Sequence, residues 1–143
     1  MKRSDKAAED FLSGYSCAQA VAMAFAEEYG LDRNDAARIA TALGGGISHM
    51  KLTCGAVVGA LMVIGLRHGG GPETKQGVYL KAQEFMKVFL RNHGSLNCTE
   101  LIGYDLGRPE KVDEAREKGI FQTLCRSYVE DAVSILEEML EES

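Results

Sequence analysis

The amino-acid sequence predicts an all-α protein, a single domain over residues 1–143 built as a bundle of about six to seven helices. Two observations predict it. Apolar residues recur at helical spacing along nearly the whole chain, and the strict alternation of a half-buried strand is absent. Only two prolines occur, Pro72 and Pro109, each where a helix could restart. No repeat, low-complexity tract or linker divides the chain, and 143 residues can bury a core without cross-links.

The elements follow in order. Ala7, Ala8, Phe11 and Leu12 form a short apolar stripe that stops at Ser13-Gly14. A second helix runs from about Cys17 to Tyr29 and ends at Gly30; its apolarity on most faces suggests the centre of the bundle. Asp32 can cap a third, with Ala36, Ile39, Ala40 and Leu43 on one side, closed by Gly44-Gly45-Gly46. The fourth covers about Cys54 to Arg67 and ends in Gly69-Gly70-Gly71. A long fifth follows Pro72, carrying Val78, Ala82, Phe85, Met86 and Phe89. A short sixth begins near Cys98. After the polar segment 107–118, the last helix carries Phe121, Cys125, Tyr128, Ala132, Ile135, Leu136 and Met139 on one face.

Charge and composition exclude several classes. A net charge of -5 and a pI near 5.2 lack the basic footprint of a nucleic-acid binder. Glu137, Glu138, Glu141 and Glu142 read as the solvated face of a helix. Charged residues follow Met1-Lys2-Arg3 where a secretory signal would turn apolar. The most apolar run, residues 56–66, is about half the length of a bilayer span. The expected location is therefore cytoplasmic, with no membrane insertion. Cysteines there are more often buried, metal-bound or catalytic than permanently cross-linked.

Four isolated cysteines carry the chemistry. Ser16-Cys17-Ala18-Gln19 has capping-box form, Asn97-Cys98-Thr99-Glu100 repeats it with an amide cap, and Thr53 can cap the helix that begins at Cys54. Three cysteines are thus expected at first helical positions, where free amides and the helix dipole favour the thiolate. Cys125 lies on an apolar stripe and is expected to point inward towards them. Convergent thiolates could ligate an iron–sulfur cluster or zinc, making Cys17, Cys54, Cys98 and Cys125 the candidate metal ligands. Without a metal, Cys54 and Cys17 are the candidate catalytic thiols of a dithiol–disulfide cycle. Unpaired cysteines also serve as small buried hydrophobes, so a non-catalytic helical interaction or oligomerisation module is the rival reading.

Glycines flank these positions. Gly55, Ala56, Gly59 and Ala60 give one small-residue helix face that a neighbouring helix or a bound group could approach closely. Gly44-Gly45-Gly46-Ile47 could cradle an anion, although it matches no nucleotide-binding fingerprint. Gly45, Gly46, Gly55 and Gly59 are therefore the candidate cofactor-binding positions. His68 and His93 precede glycine at helix ends, where a cation suits the dipole. His49, five residues before Cys54, is the histidine expected near the site. No C-x-x-C pair, serine triad or paired-carboxylate arrangement is present.

These residues resemble a known family. The stretches 14–21 (Gly-Tyr-Ser-Cys-Ala-Gln-Ala-Val), 44–46, 54–62 (Cys-Gly-Ala-Val-Val-Gly-Ala-Leu-Met), 97–103 (Asn-Cys-Thr-Glu-Leu-Ile-Gly) and 125–129 (Cys-Arg-Ser-Tyr-Val) look like those of the C_GCAxxG_C_C family. Its pattern is a lone cysteine, a CGAxxG box and two further lone cysteines in a helical chain of this length. The resemblance spans roughly residues 14–140. It implies a redox-active protein in which Cys17, Cys54, Cys98 and Cys125 are the family's four cysteines. It also implies partners in oxidoreductase or transport systems, and an iron–sulfur cluster or other prosthetic group.

Overall fold

The computed structural model describes residues 1–141, so Glu142 of the predicted acidic face lies outside the described residues. Among the described residues the chain forms eight right-handed helices: α1 (Arg3–Leu12), α2 (Cys17–Ala26), α3 (Arg33–Ala40), α4 (Gly55–His68), α5 (Lys75–His93), α6 (Cys98–Ile102), α7 (Pro109–Glu117) and α8 (Arg126–Glu141). No strand forms among the described residues, and the all-α class stands. The helix beyond the expected six to seven is α7, inside the polar segment 107–118. Only Ala115 of it is buried, so it shows no apolar stripe; charge pairs such as Lys111–Glu114 and Lys118–Glu114 run along it.

The predicted punctuation mostly holds. Asp32 accepts from the amides of Asn34 and Asp35 to start α3, and Gly30 takes the left-handed conformation after a 3-10 turn at Glu27–Tyr29. Pro72 opens a 3-10 turn that leads into α5. The buried face of α3 differs from the expected one: Ala36, Ala37 and Ala40 face inward, whereas Ile39 is 60% exposed. The small alanines let α3 lie close against α2, and that close approach turns Ile39 outward.

Helix α2 is the centre, as its all-round apolarity predicts. It packs against α1, α3, α4 and α8, burying Val21, Met23 and Phe25. Its contact with α4 is close because Gly59 lacks a side chain: a Cβ there would stand 2.6 Å from the Ala18 carbonyl oxygen. Phe85 and Phe89 anchor α5 on a core shared with Ile64, Val129 and Leu136. One buried carboxylate, Asp10 of α1, is paired with Arg33 of α3 at 2.6 Å. This frame leaves one end of α2 and the start of α4 side by side.

Candidate functional site

Cys17 is the first residue of α2. The Ser16 hydroxyl accepts from the Gln19 amide at 3.2 Å, and Gln19 Oε1 accepts from the Ser16 amide at 2.9 Å, completing the expected capping box. The Gln19 amide group also donates to the Ala37 carbonyl, fastening this start to α3. Cys98 likewise begins α6, where Asn97 Oδ1 accepts from Thr99 and Glu100. Cys54 departs from expectation, being itself the N-cap of α4. The reason is a long-range pairing: Thr53 and Asn97 form an isolated antiparallel bridge, with the Cys54 amide donating to Leu96 and the Cys98 amide to Leu52. Thr53 is drawn into that pairing, and the helix starts one residue later. The same bridge puts Cys54 and Cys98 on one face, diagonally across the two segments.

The glycine triplet begins a left-handed turn. Gly45, Gly46, Ile47, Ser48 and His49 all hold positive φ, between 55° and 71°. Glycine adopts this readily, but each L-residue there costs about 1–2 kcal/mol. The turn is pinned by Ser48 Oγ donating to Ala42 at 2.6 Å, the Leu52 amide to Gly46 at 3.0 Å, and Asn97 Nδ2 to Lys51 at 2.9 Å. Cys125 ends a single π-turn, Phe121–Cys125, that precedes α8. Such turns insert a residue into the helical ladder and often mark functional sites.

These segments surround one cavity of about 430 Å³, and all four cysteines line it. Cys54 and Cys98 are buried; Cys17 and Cys125 are partly exposed, and none forms a disulfide. Gly45, Gly55 and His49 line the cavity too. Gly46 and Gly59 are placed elsewhere: Gly46 makes room for Cys98, whose Cβ would lie 2.8 Å from an added Cβ, while Gly59 belongs to the α2–α4 crossing. Sequence reasoning missed Arg116, Gln122 and Tyr128 as cavity residues. Tyr128 had a readable signal, lying three residues from Cys125 on the same stripe; its hydroxyl donates to the Leu101 carbonyl at 2.6 Å. His93, expected at a helix end, pairs there with Asp131 at 2.6 Å and packs edge-on against Tyr128. His68 ends α4 with its Nε2 buried and without a hydrogen-bond partner.

The electrostatics overturn one expectation. Helix starts were expected to ease thiol ionisation, yet burial pushes all four thiols up. At Cys17, the backbone amides of Gly45, Ala18, Gly55 and Cys17 itself act in the opposite direction, but desolvation outweighs them. Cys98 is pushed up to about 12 by burial and by the neighbouring Cys17. Cys54 and Cys125 are raised by burial and then by the other sulfurs, Cys125 feeling all three. The four thiols thus share one cavity and raise one another there. This arrangement stops short of a one-ion site: among the described residues, no three His, Cys, Asp or Glu side chains are grouped to hold a metal ion.

Among the described residues, no helix is long and apolar enough to cross a membrane. Searches of curated proteins and of solved structures returned no significant match. The family model described as "Putative redox-active protein (C_GCAxxG_C_C)" matches residues 15–139, which include all four cysteines, the left-handed turn and most of α8. The chain belongs to the C_GCAxxG_C_C family.

Proposed function

We propose that this is a redox protein whose four cysteines, Cys17, Cys54, Cys98 and Cys125, form the donor set for a metal–sulfur group of the iron–sulfur class. The observation that carries the reading is that cysteines from four separate segments line a single cavity. The thiol chemistry favours a cofactor over direct exchange. A thiol pushed up to about 12 is almost wholly protonated at neutral pH and attacks disulfides poorly. A bound metal group reverses that balance, because a coordinated thiol is deprotonated outright. A single zinc ion fits less well, since no three donors are grouped around one point among the described residues. Sulfurs contributed by separate segments would suit a group with several metal centres better than one ion.

Such a group supplies electron transfer when bound. The chain's own residues do the rest. The amides of Ala18, Gly45 and Gly55 direct donors at the Cys17 sulfur and offset negative charge gathered there. Phe11, Leu101, Ile102 and Phe121 wall the cavity with apolar surface and limit water. We further propose that its partners belong to oxidoreductase or transport systems, as the four-cysteine resemblance implies.

The test is anaerobic purification and reconstitution, with iron, sulfide and zinc quantified against protein. Stoichiometric iron and sulfide, lost in each single cysteine-to-serine variant, are expected. Absence of bound metal after reconstitution refutes the reading. A dithiol–disulfide cycle is the second reading, favoured by Cys54 and Cys98 sharing a face of the bridge. Diagonal neighbours there lie roughly 7–8 Å apart at Cα, beyond the usual disulfide range, so closure needs backbone movement. An intramolecular disulfide in metal-free protein after mild oxidation would favour it. A purely structural or oligomerising module predicts that replacing all four cysteines leaves assembly and cellular function unchanged.

A further inference from the structure

Beside the cysteine cavity lies a second, solvent-facing cleft of about 400 Å³, walled by Met50, Gly107, Pro109, Val112 and Asp113. The two spaces have two lining residues in common, His49 and Leu106. Leu106 is buried at 4% exposure and fixed in the core, whereas His49 is exposed. The two spaces therefore meet at one buried side chain and one solvent-exposed side chain.

We infer that His49 is the gate residue that determines which molecules pass from this outer cleft to the four sulfurs. The backbone beneath it is held rather than mobile. Ser48 is tied to Ala42, Gly46 to Leu52 and Lys51 to Asn97, so the left-handed turn presents His49 from a fixed base. The ring is seated on Gly45, where an added Cβ would come within 2.8 Å of Nε2. Gly45 lines the cavity together with Cys17, and its amide opposes the effect of burial on that thiol. Turning the ring away would uncover the Gly45 backbone at the wall of the cavity that Cys17 also lines. Positive φ at Ile47, Ser48 and His49 keeps a ring at this point despite its conformational cost, as expected of a position fixed by its use. The inference rests on reading the cavity as the working site, and adds control of access to it.

The test is alkylation of the metal-free, reduced protein with iodoacetamide, the rate at each cysteine being read by mass spectrometry. It therefore does not depend on whether a metal group binds. His49→Asn and His49→Gly remove the ring while accepting the left-handed backbone. Both are expected to raise labelling of Cys17 and Cys54 at least tenfold, with rates independent of low denaturant. Leu12→Ala, at the opposite rim of the cavity where Leu12 is 47% exposed, is expected to change little. Unchanged rates in both His49 variants overturn the inference. So does equal acceleration by Leu12→Ala, or a rate that climbs with denaturant and so reports unfolding.

Discussion

Three glycines of α4 allow packing, sulfur placement and helix propensity to be separated within one helix. A Cβ on Gly55 would fall well inside 3.0 Å of Cys17 Sγ and 3.2 Å from both the Ala18 amide nitrogen and the Gly44 Cα. Three of its neighbours are thus the sulfur and two backbone segments, none of which yields cheaply. Gly55→Ala should therefore destabilise the fold by about 1–3 kcal/mol, the range for overpacking. Gly59→Ala, whose Cβ meets the Ala18 carbonyl at 2.6 Å, should cost a similar amount by prising α2 from α4. Gly65 has nothing within 4 Å of its added Cβ, so Gly65→Ala should stabilise by about 0.5–1 kcal/mol through helix propensity alone. Urea denaturation gives the three stabilities, and alkylation of Cys17 distinguishes the first two. Gly55→Ala should alter Cys17 reactivity at low urea, whereas Gly59→Ala should act mainly through global stability. A Gly55→Ala variant as stable as Gly65→Ala, with Cys17 reactivity unchanged, would refute this account of the crossing.

The other predictions concern the caps and the buried thiols. Ser16→Ala removes the acceptor for the Gln19 amide and should cost about 1 kcal/mol by thermal or chemical unfolding. Tyr128→Phe leaves the Leu101 carbonyl without its 2.6 Å donor in a buried site, and should cost about 1–2 kcal/mol. Burial raises the thiols above their ordinary value of 9.0, so the unfolded chain releases protons before the folded one. For Cys98 the resulting contribution to stability is fully present below pH 9 and is lost as pH rises towards about 12. The slope should approach about 1.4 kcal/mol per pH unit for each such thiol. Urea midpoints at pH 8, 9.5 and 10.5 should fall accordingly, and Cys98→Ser should lessen the fall.

Helix by helix, the sequence was legible where one local signal decided the outcome. The Ser16 capping box, the Asp32 cap, Gly30 and Pro72 each act within a few residues, and each does what its chemistry predicts. α7 was illegible because it buries only Ala115, so it lacks the periodicity by which the other helices were read. Cys54 was placed one position too far into its helix because Thr53 is claimed by Asn97, 44 residues away, and no local pattern announces that pairing. The glycine triplet was visible as a break. Its continuation through Ile47, Ser48 and His49 in the left-handed region was not, since those residue types disfavour it. Arg116 and Gln122 reach the cavity from α7 and the π-turn, which periodicity does not resolve.

The thiols illustrate why the site's chemistry needs the fold. A helix start near each of Cys17, Cys54 and Cys98 was readable from caps, and a helix start alone favours a thiolate. Convergence changes the sign. Bringing four sulfurs to one cavity removes them from water, and each ionised thiol would raise the next, so every thiol is held neutral. The amides around Cys17 then stabilise a charge that the metal-free protein does not carry at neutral pH. Under the proposed function, an occupant that draws the protons away and brings positive charge among the sulfurs would resolve that mismatch. The amides would then face thiolates, and the same burial that suppresses ionisation would shelter the bound group from water. Proton release during anaerobic reconstitution measures this directly. Close to one proton per ligating cysteine is expected above those released by metal and sulfide alone, because each thiol begins protonated. Release no greater than in a variant with all four cysteines replaced by serine would refute the argument.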